Sequence, residues 1–309
     1  MAGLHDDEIP IDAALVRALV AEALPQYAGL DVRPLGASGS TNALFRLGSH
    51  LVVRMPRQTG GSALEKEARW LPMVERELSV AVPTVIAVGE PGLGYPERWS
   101  VNSYLDGSLP TVVAERVPPE GPRHGLADDL AVLVRQLHAI EVPDAALDDE
   151  ELTWYRGGPL GDVDDSFRRS LAACREIDGL DLDLDAAVRA WDHALEAARD
   201  SDPAPSWYHG DLLAENLLVA DDGRLSALLD FGTLGVGDPA VDLVAAWEVL
   251  DPESRETFRR AVDVDDATWW RAMGWALYIA FVTFPYYWDS MPARCADRRA
   301  MARAVLATG

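Results

Sequence analysis

The sequence predicts an α+β fold in two parts, a five-stranded first part with one main helix over residues 1–105 and a mostly helical second part over 106–309. Three observations predict it. Short runs rich in apolar and β-branched residues, punctuated by Gly, Pro and Ser, crowd the first hundred positions. Apolar residues at helical spacing dominate after Asp106–Gly107. One compact hairpin, ENLLVADDGRLSALLDF, interrupts the helical part with an Asp-Asp-Gly turn.

Taken in order, residues 11–24 read as a helix with Asp12 as cap and Pro25 as stop. The glycine- and serine-rich turn LGASGSTN, 35–42, separates two strand-like runs, of which ALFRLG is the second. LVVRM, 51–55, reads as a third strand. Residues 62–78 read as a helix capped by Ser62 and bent at Pro72, and TVIAVGE and WSVNSYL follow as two more strands. Beyond the boundary the spacing predicts helices over about 127–140, 164–176, 185–199 and 240–250, and a long stretch from about 266 to 305.

Charge narrows the partners. Lys and Arg number 27 against 51 Asp and Glu, a formal charge of −24. Nucleic acids and anionic membranes need clustered positive charge, so neither is an expected partner. A cationic small molecule would be drawn to such a surface, although an acidic surface also serves solubility alone. No run of apolar residues is long enough for a membrane span, and MAGLHDDEIPID lacks the basic and apolar regions of a secretory signal. Cys174 and Cys295 are too few for a disulfide framework or a zinc site, which fits a reducing cytoplasm.

The chemistry is concentrated in WYHGDLLAEN, 207–216, and in LLDFG, 228–232. Asp211 precedes Asn216 by five residues, and the hairpin that follows ends at Asp230. A hairpin returns its second strand beside its first, so Asn216 and Asp230 are expected to converge. A carboxylate and an amide oxygen are hard ligands suited to Mg²⁺, and Asp211 would accept a proton from an attacking hydroxyl. The alternative for all three is a set of turn formers and caps, which does not account for their ordered spacing.

These residues resemble the aminoglycoside phosphotransferase family, small-molecule kinases with a protein-kinase-like bilobal fold whose N-lobe sheet is antiparallel. The His-Gly-Asp form at His209, Gly210 and Asp211, the Asp-x-x-x-x-Asn spacing, the Asp-Phe-Gly at 230–232 and GDPAVDL at 237–243 carry the resemblance, which runs from about residue 31 to about 250. It implies an ATP- and Mg²⁺-dependent transfer of the γ-phosphate to a hydroxyl, with GTP as the other donor to consider. Asp211 takes the role of catalytic base, and Asn216 and Asp230 those of metal ligands. Ser38, Gly39 and Ser40 fall in the expected phosphate-covering turn. Arg54 stands where most kinases carry lysine, with Glu67 as its expected partner and Glu65 as the rival. The backbone of Ser103 and Leu105 would meet the adenine edge. Asp238 and Asp242 are read as structural, one capping a helix and one bracing the catalytic loop, and His209 as a loop-holding residue.

The resemblance leaves the acceptor open. The acidic, aromatic segment 148–165 would suit an aminoglycoside or another polyamine sugar, and the aromatic stretch 269–288, with Trp288 and Asp289 at its end, a bulkier molecule such as a macrolide. Both segments have plainer readings, as solvated loop and as core. A metabolic small-molecule kinase of the same fold and a non-catalytic nucleotide-binding pseudokinase remain as alternatives, the chain acting as monomer or homodimer.

Overall fold

The computed structural model describes residues 8–36, 41–60, 63–112, 118, 121–199 and 201–308. Two compact units are present. The first comprises residues 1–76, 81–106 and 227–232; the second comprises 77–80, 107–226 and 233–309.

The first unit begins with α1 (Ala13–Ala23), whose cap is the expected Asp12: its carboxylate accepts from the amides of Ala14 and Leu15 at 2.9 and 2.8 Å. Strands β1 (Val32–Pro34), β2 (Asn42–Leu47) and β3 (Leu51–Pro56) follow, then α2 (Leu64–Glu75), β4 (Val85–Gly89) and β5 (Trp99–Ser103). All pairings in the sheet are antiparallel, in the order β1-β2-β3-β5-β4, which is the five-stranded sheet read from the sequence. The two-residue period of a strand sorts the side chains. Ala43, Phe45 and Leu47 of β2 with Val53 and Met55 of β3 point into a core shared with Val16, Leu19 and Val20 of α1 and with Trp99 and Val101 of β5. Arg54, between Val53 and Met55, therefore projects from the opposite face. Helix α2 contains Pro72, as expected, while Ser62 lies outside the described residues.

The second unit is helical. Its helices are α3 (His124–Ala139), α4 (Asp144–Leu147), α5 (Asp164–Cys174), α6 (Leu184–Arg199), α7 (Ala245–Glu248), α8 (Pro252–Val262), α9 (Asp266–Tyr287) and α10 (Pro292–Leu306). Two short antiparallel strands, β6 (Ser206–Tyr208) and β9 (Gly235–Gly237), pair with each other, and β7 (Leu217–Val219) with β8 (Leu225–Leu228) makes the expected hairpin. The hairpin turn closes where the Gly223 amide donates to the carbonyl of Ala220.

Three departures from the sequence reading have physical causes. The helix expected over 240–250 is a 3₁₀ run, Pro239–Val244, followed by the single turn of α7. The stretch expected over 266–305 is two helices, broken after Tyr287 and restarted at Pro292, a favoured first helical residue. Helix α8 was not expected at all. Its signal is Asp251–Pro252, an N-cap aspartate accepting from Glu253 and Ser254 and a proline at the first helical position. The aromatic stretch of α9 is core: Trp269, Trp275, Tyr278, Phe281 and Phe284 are buried, and α9 packs against α5, α6 and α10. At its end Trp288 is half-buried and Asp289 exposed.

Candidate active site

Chemistry-bearing side chains gather in one cluster within each unit. In the first, Arg54 of β3 donates through Nη1 to Glu67 Oε2 at 2.7 Å and through Nη2 to Asp230 Oδ1 at 3.0 Å. Glu67 is thus the partner of Arg54, and the rival Glu65 instead pairs with Arg98 at 2.9 Å. Burial works against the charge of Arg54, but Glu67 and Asp230 outweigh it and hold the guanidinium protonated. Asp230 adopts a left-handed backbone, φ 56°, sparsely populated for a residue other than glycine. Its Oδ1 also accepts from the Gly232 amide at 3.3 Å, while Oδ2 has no partner among the described residues. Lys66, on the same helix as Glu67, donates to the carbonyl of Gly232 at 2.6 Å and so ties down the Asp-Phe-Gly turn. The sequence reading passed over Lys66; its adjacency to Glu67 was the available signal.

Ser38, Gly39 and Ser40 lie outside the described residues. Ser103 ends β5, and its Oγ accepts from the Thr84 amide at 2.9 Å. The Leu105 amide, just past the strand, makes no hydrogen bond among the described residues.

The second cluster surrounds Asp211. The chain enters from β6 through Gly210, whose φ of 80° and close packing admit only glycine: a Cβ would sit 2.9 Å from the Thr233 carbonyl. Asp242, fully buried, accepts from the amides of His209 and Gly210 at 2.9 and 2.8 Å, and from His138 Nε2 at 3.2 Å. It braces the loop, as read from the sequence. His209 is also fully buried, and its Nδ1 accepts from the Asp211 amide at 3.2 Å, a loop-holding role. Asp238 caps the 3₁₀ run through Ala240 and pairs with Arg271 at 2.7 Å.

Both carboxylate oxygens of Asp211 are held. Asn216 Nδ2 donates to Oδ2 at 2.9 Å and to the Asp211 carbonyl at 2.8 Å. Because both partners are acceptors, the amide must turn its NH₂ toward them, which leaves Oδ1 of Asn216 as an open acceptor. Arg156 Nη1 donates to Asp211 Oδ1 at 2.5 Å. Burial acts to raise the Asp211 carboxyl, and the Arg156 guanidinium overrides it and holds the group below the usual carboxylate range. Arg156 was missed in the sequence. It lies in the segment 148–165, whose acidic character drew attention away from its one arginine.

Behind the loop, Glu248 accepts from the Ala214 amide at 2.7 Å and from Arg298, which also holds both oxygens of Glu215 at 2.9 and 3.0 Å. Helices α7 and α10 thereby anchor the turn that presents Asn216.

A metal would find suitable donors in both clusters. Asp230 Oδ2 in the first cluster and Asn216 Oδ1 in the second have no partner among the described residues, and each is an oxygen of the type Mg²⁺ takes. No group of three or more His, Cys, Asp or Glu is placed to hold a metal among the described residues, so the donors do not form an all-protein cage.

The fold and the two clusters define a protein of the kinase-like α+β class. The sequence profile of the phosphotransferase enzyme family (APH) matches residues 31–275. The chain belongs to that family. An aminoglycoside 3'-phosphotransferase of Escherichia coli is 26% identical over 176 residues, 56% of this chain and 59% of that protein. The chain thus spans under two thirds of the curated relative it matches. Among solved structures, the GDP and kanamycin complex of APH(2")-IIia shares the fold with a TM-score of 0.67 and 19% identity, over 95% of this chain and 97% of that one. The macrolide 2'-phosphotransferase MphH from Brachybacterium faecium shares it with a TM-score of 0.58 and 24% identity, over 96% and 98%. No helix among the described residues is long and apolar enough to cross a membrane.

Proposed function

We propose that this chain transfers the γ-phosphate of ATP to a hydroxyl of a small molecule, an antibiotic such as an aminoglycoside. The observation that carries the reading is Asp211, a half-buried carboxylate fixed by Asn216 on a loop that Asp242 braces. An ionised carboxylate held in place can accept a hydrogen bond from the hydroxyl and orient it for attack, and phosphoryl transfer asks little more of a protein than positioning and charge neutralisation. In this reading residues 1–105 bind the nucleotide and 106–309 carry the base and the acceptor.

Asn216 and Asp230 would hold Mg²⁺, which when bound neutralises charge on the donor phosphates. The unengaged oxygens of both side chains support this. Arg54, kept protonated by Glu67, is suited to steady the phosphates bidentately. Ser38, Gly39 and Ser40, outside the described residues, would be the ones to meet the phosphates through backbone amides. The Leu105 amide, without a hydrogen bond among the described residues, and the Ser103 carbonyl would meet the adenine edge, and GTP would be accepted as far as the same backbone contacts allow. That the GDP and kanamycin complex and an ADP-bound APH(2'')-Ib share the fold supports nucleotide use. The acceptor proposal rests on the acidic surface and on the curated aminoglycoside relative. Two free, buried thiols suit a reducing cytoplasm.

The test is transfer of labelled γ-phosphate from ATP to a panel of aminoglycosides and macrolides. Product with an aminoglycoside is expected, and saturable MgATP binding with no turnover on any acceptor or on water would remove the reading.

A further inference from the structure

Arg156 pairs directly with the candidate base, a contact that phosphoryl transfer does not require. It sits in a 3₁₀ turn, Tyr155–Gly157, ahead of α5. The turn is fixed on both sides: the Trp154 carbonyl accepts from Tyr208 Oη at 3.3 Å, and the Gly157 carbonyl from the Asp238 amide at 2.8 Å. Gly157 lies so close to Tyr208 that a Cβ would fall 2.0 Å from its ring. The side chain is fixed as well. Its Nε donates to Tyr155 Oη at 3.1 Å, its Nη1 to the Gly210 carbonyl at 3.0 Å, and its guanidinium lies 4.7 Å from the centre of the Trp154 ring. Only 14% of it is exposed. Such an arginine is a preorganised fixture.

Two consequences follow from that placement. The Asp211 carboxylate is held at one oxygen by Arg156 and at the other by Asn216, so its plane is set from two separate elements. An acceptor hydroxyl reaching Asp211 also comes within a few ångströms of a fixed guanidinium. Because Arg156 already pairs the Asp211 carboxylate, a neighbouring ammonium on the acceptor gains no charge partner there, whereas a neighbouring hydroxyl or ether needs none. The aromatic surroundings, with Tyr155 exposed at 43% and 6.0 Å from Tyr278, favour an uncharged sugar face at the same place.

We propose that Arg156 is a positioning residue for Asp211 and a determinant of regiochemistry, directing phosphate to a hydroxyl whose adjacent carbons carry no ammonium group. This rests on the reading of Asp211 as the base that faces the acceptor.

The experiment compares wild type, Arg156→Gln, Arg156→Lys and Asp211→Asn in the full chain. Aminoglycosides are the acceptors, and products are mapped by phosphorus–proton NMR. Wild type should place phosphate on hydroxyls without a vicinal ammonium. Arg156→Gln should lower kcat at saturating acceptor at least about tenfold, with KM for MgATP unchanged, and move product toward hydroxyls beside an ammonium. Arg156→Lys, which keeps the charge, should retain the wild-type regiochemistry. Wild-type product beside an ammonium would overturn the inference, as would an Arg156→Gln enzyme equal to wild type in kcat and regiochemistry, or a lysine variant no better than glutamine. Should the glutamine variant fail to fold, an Arg156→Lys enzyme that loses the wild-type regiochemistry overturns the inference. Should no aminoglycoside react, MgATP hydrolysis by water reads the kcat arm, and a rate unaffected by Arg156→Gln overturns the proposal. Turnover that survives Asp211→Asn would instead remove the functional reading beneath it.

Discussion

At the scale of single residues, an ion pair between a strand and a helix does most to define the cluster around Arg54. Arg54 and Glu67 are 15% and 2% exposed, so neither charge is free to return to water when its partner is lost. Breaking a buried pair from one side costs roughly 3–5 kcal/mol. Glu67→Ala should therefore lower the melting temperature by several degrees and weaken MgADP binding in calorimetry, since Arg54 then turns wholly to Asp230. Glu67→Gln, which keeps the shape and one acceptor, should lose less. Equal stability of the alanine variant and wild type would show that the pair does not hold the cluster. The pairing itself was half legible in the sequence. A basic strand residue followed by an acidic helix gave Glu65 and Glu67 as candidates, and only the rotation of α2 separates them, sending Glu65 to Arg98. Arg156 was illegible for a different reason: its partner is 55 positions away, and no local pattern marks a residue in a 3₁₀ turn.

At the scale of elements, the loop between β6 and β7 is held from beneath by side chains of later segments. Asp242 satisfies two buried backbone amides, and leaving each unpaired costs about 1–3 kcal/mol. Asp242→Ala should accordingly destabilise the protein by at least ~2 kcal/mol in urea titrations. If the variant folds, its turnover should fall more than its MgATP affinity, because the misplaced residue is Asp211. A variant with lost stability and intact turnover would contradict the bracing role. The 3₁₀ run that presents Asp242 was read as ordinary helix. Apolar spacing alone does not distinguish the two, and the choice is made by the capping of Asp238 and the tertiary pull on Asp242. Helix α8 was missed although its cap and proline are local signals, because a charged, weakly apolar run, PESRETFRRAV, carries little periodic contrast.

At the scale of the whole molecule, a chain with a net charge of −24 keeps several acidic groups in its interior. Burial, opposed by Arg298, pushes the Glu248 carboxyl up to about 7 from an ordinary 4.5. Between those values the folded state binds a proton that the unfolded state has released, so this group's contribution to stability declines as pH rises from about 4.5 to about 7. Melting temperatures taken from pH 5 to pH 8 should fall more steeply for wild type than for Glu248→Gln. Parallel curves would show that Glu248 does not titrate in that window. The two-part architecture was the most legible feature, because strand and helix periodicities differ and the change near Asp106 is sharp. The passage of 227–232 into the first unit was not legible, since a segment's neighbours in space leave no mark on its own spacing.

The central claim is that Asp211 serves an acceptor hydroxyl in phosphate transfer from ATP. The most direct measurement is labelled-phosphate transfer to an aminoglycoside by wild type and by Asp211→Asn, an exchange that keeps the size of the side chain. Transfer by wild type is expected, with kcat in the variant lower by about 10²–10⁴-fold and KM for MgATP within a few-fold of wild type. Equal kcat in the two proteins would contradict it.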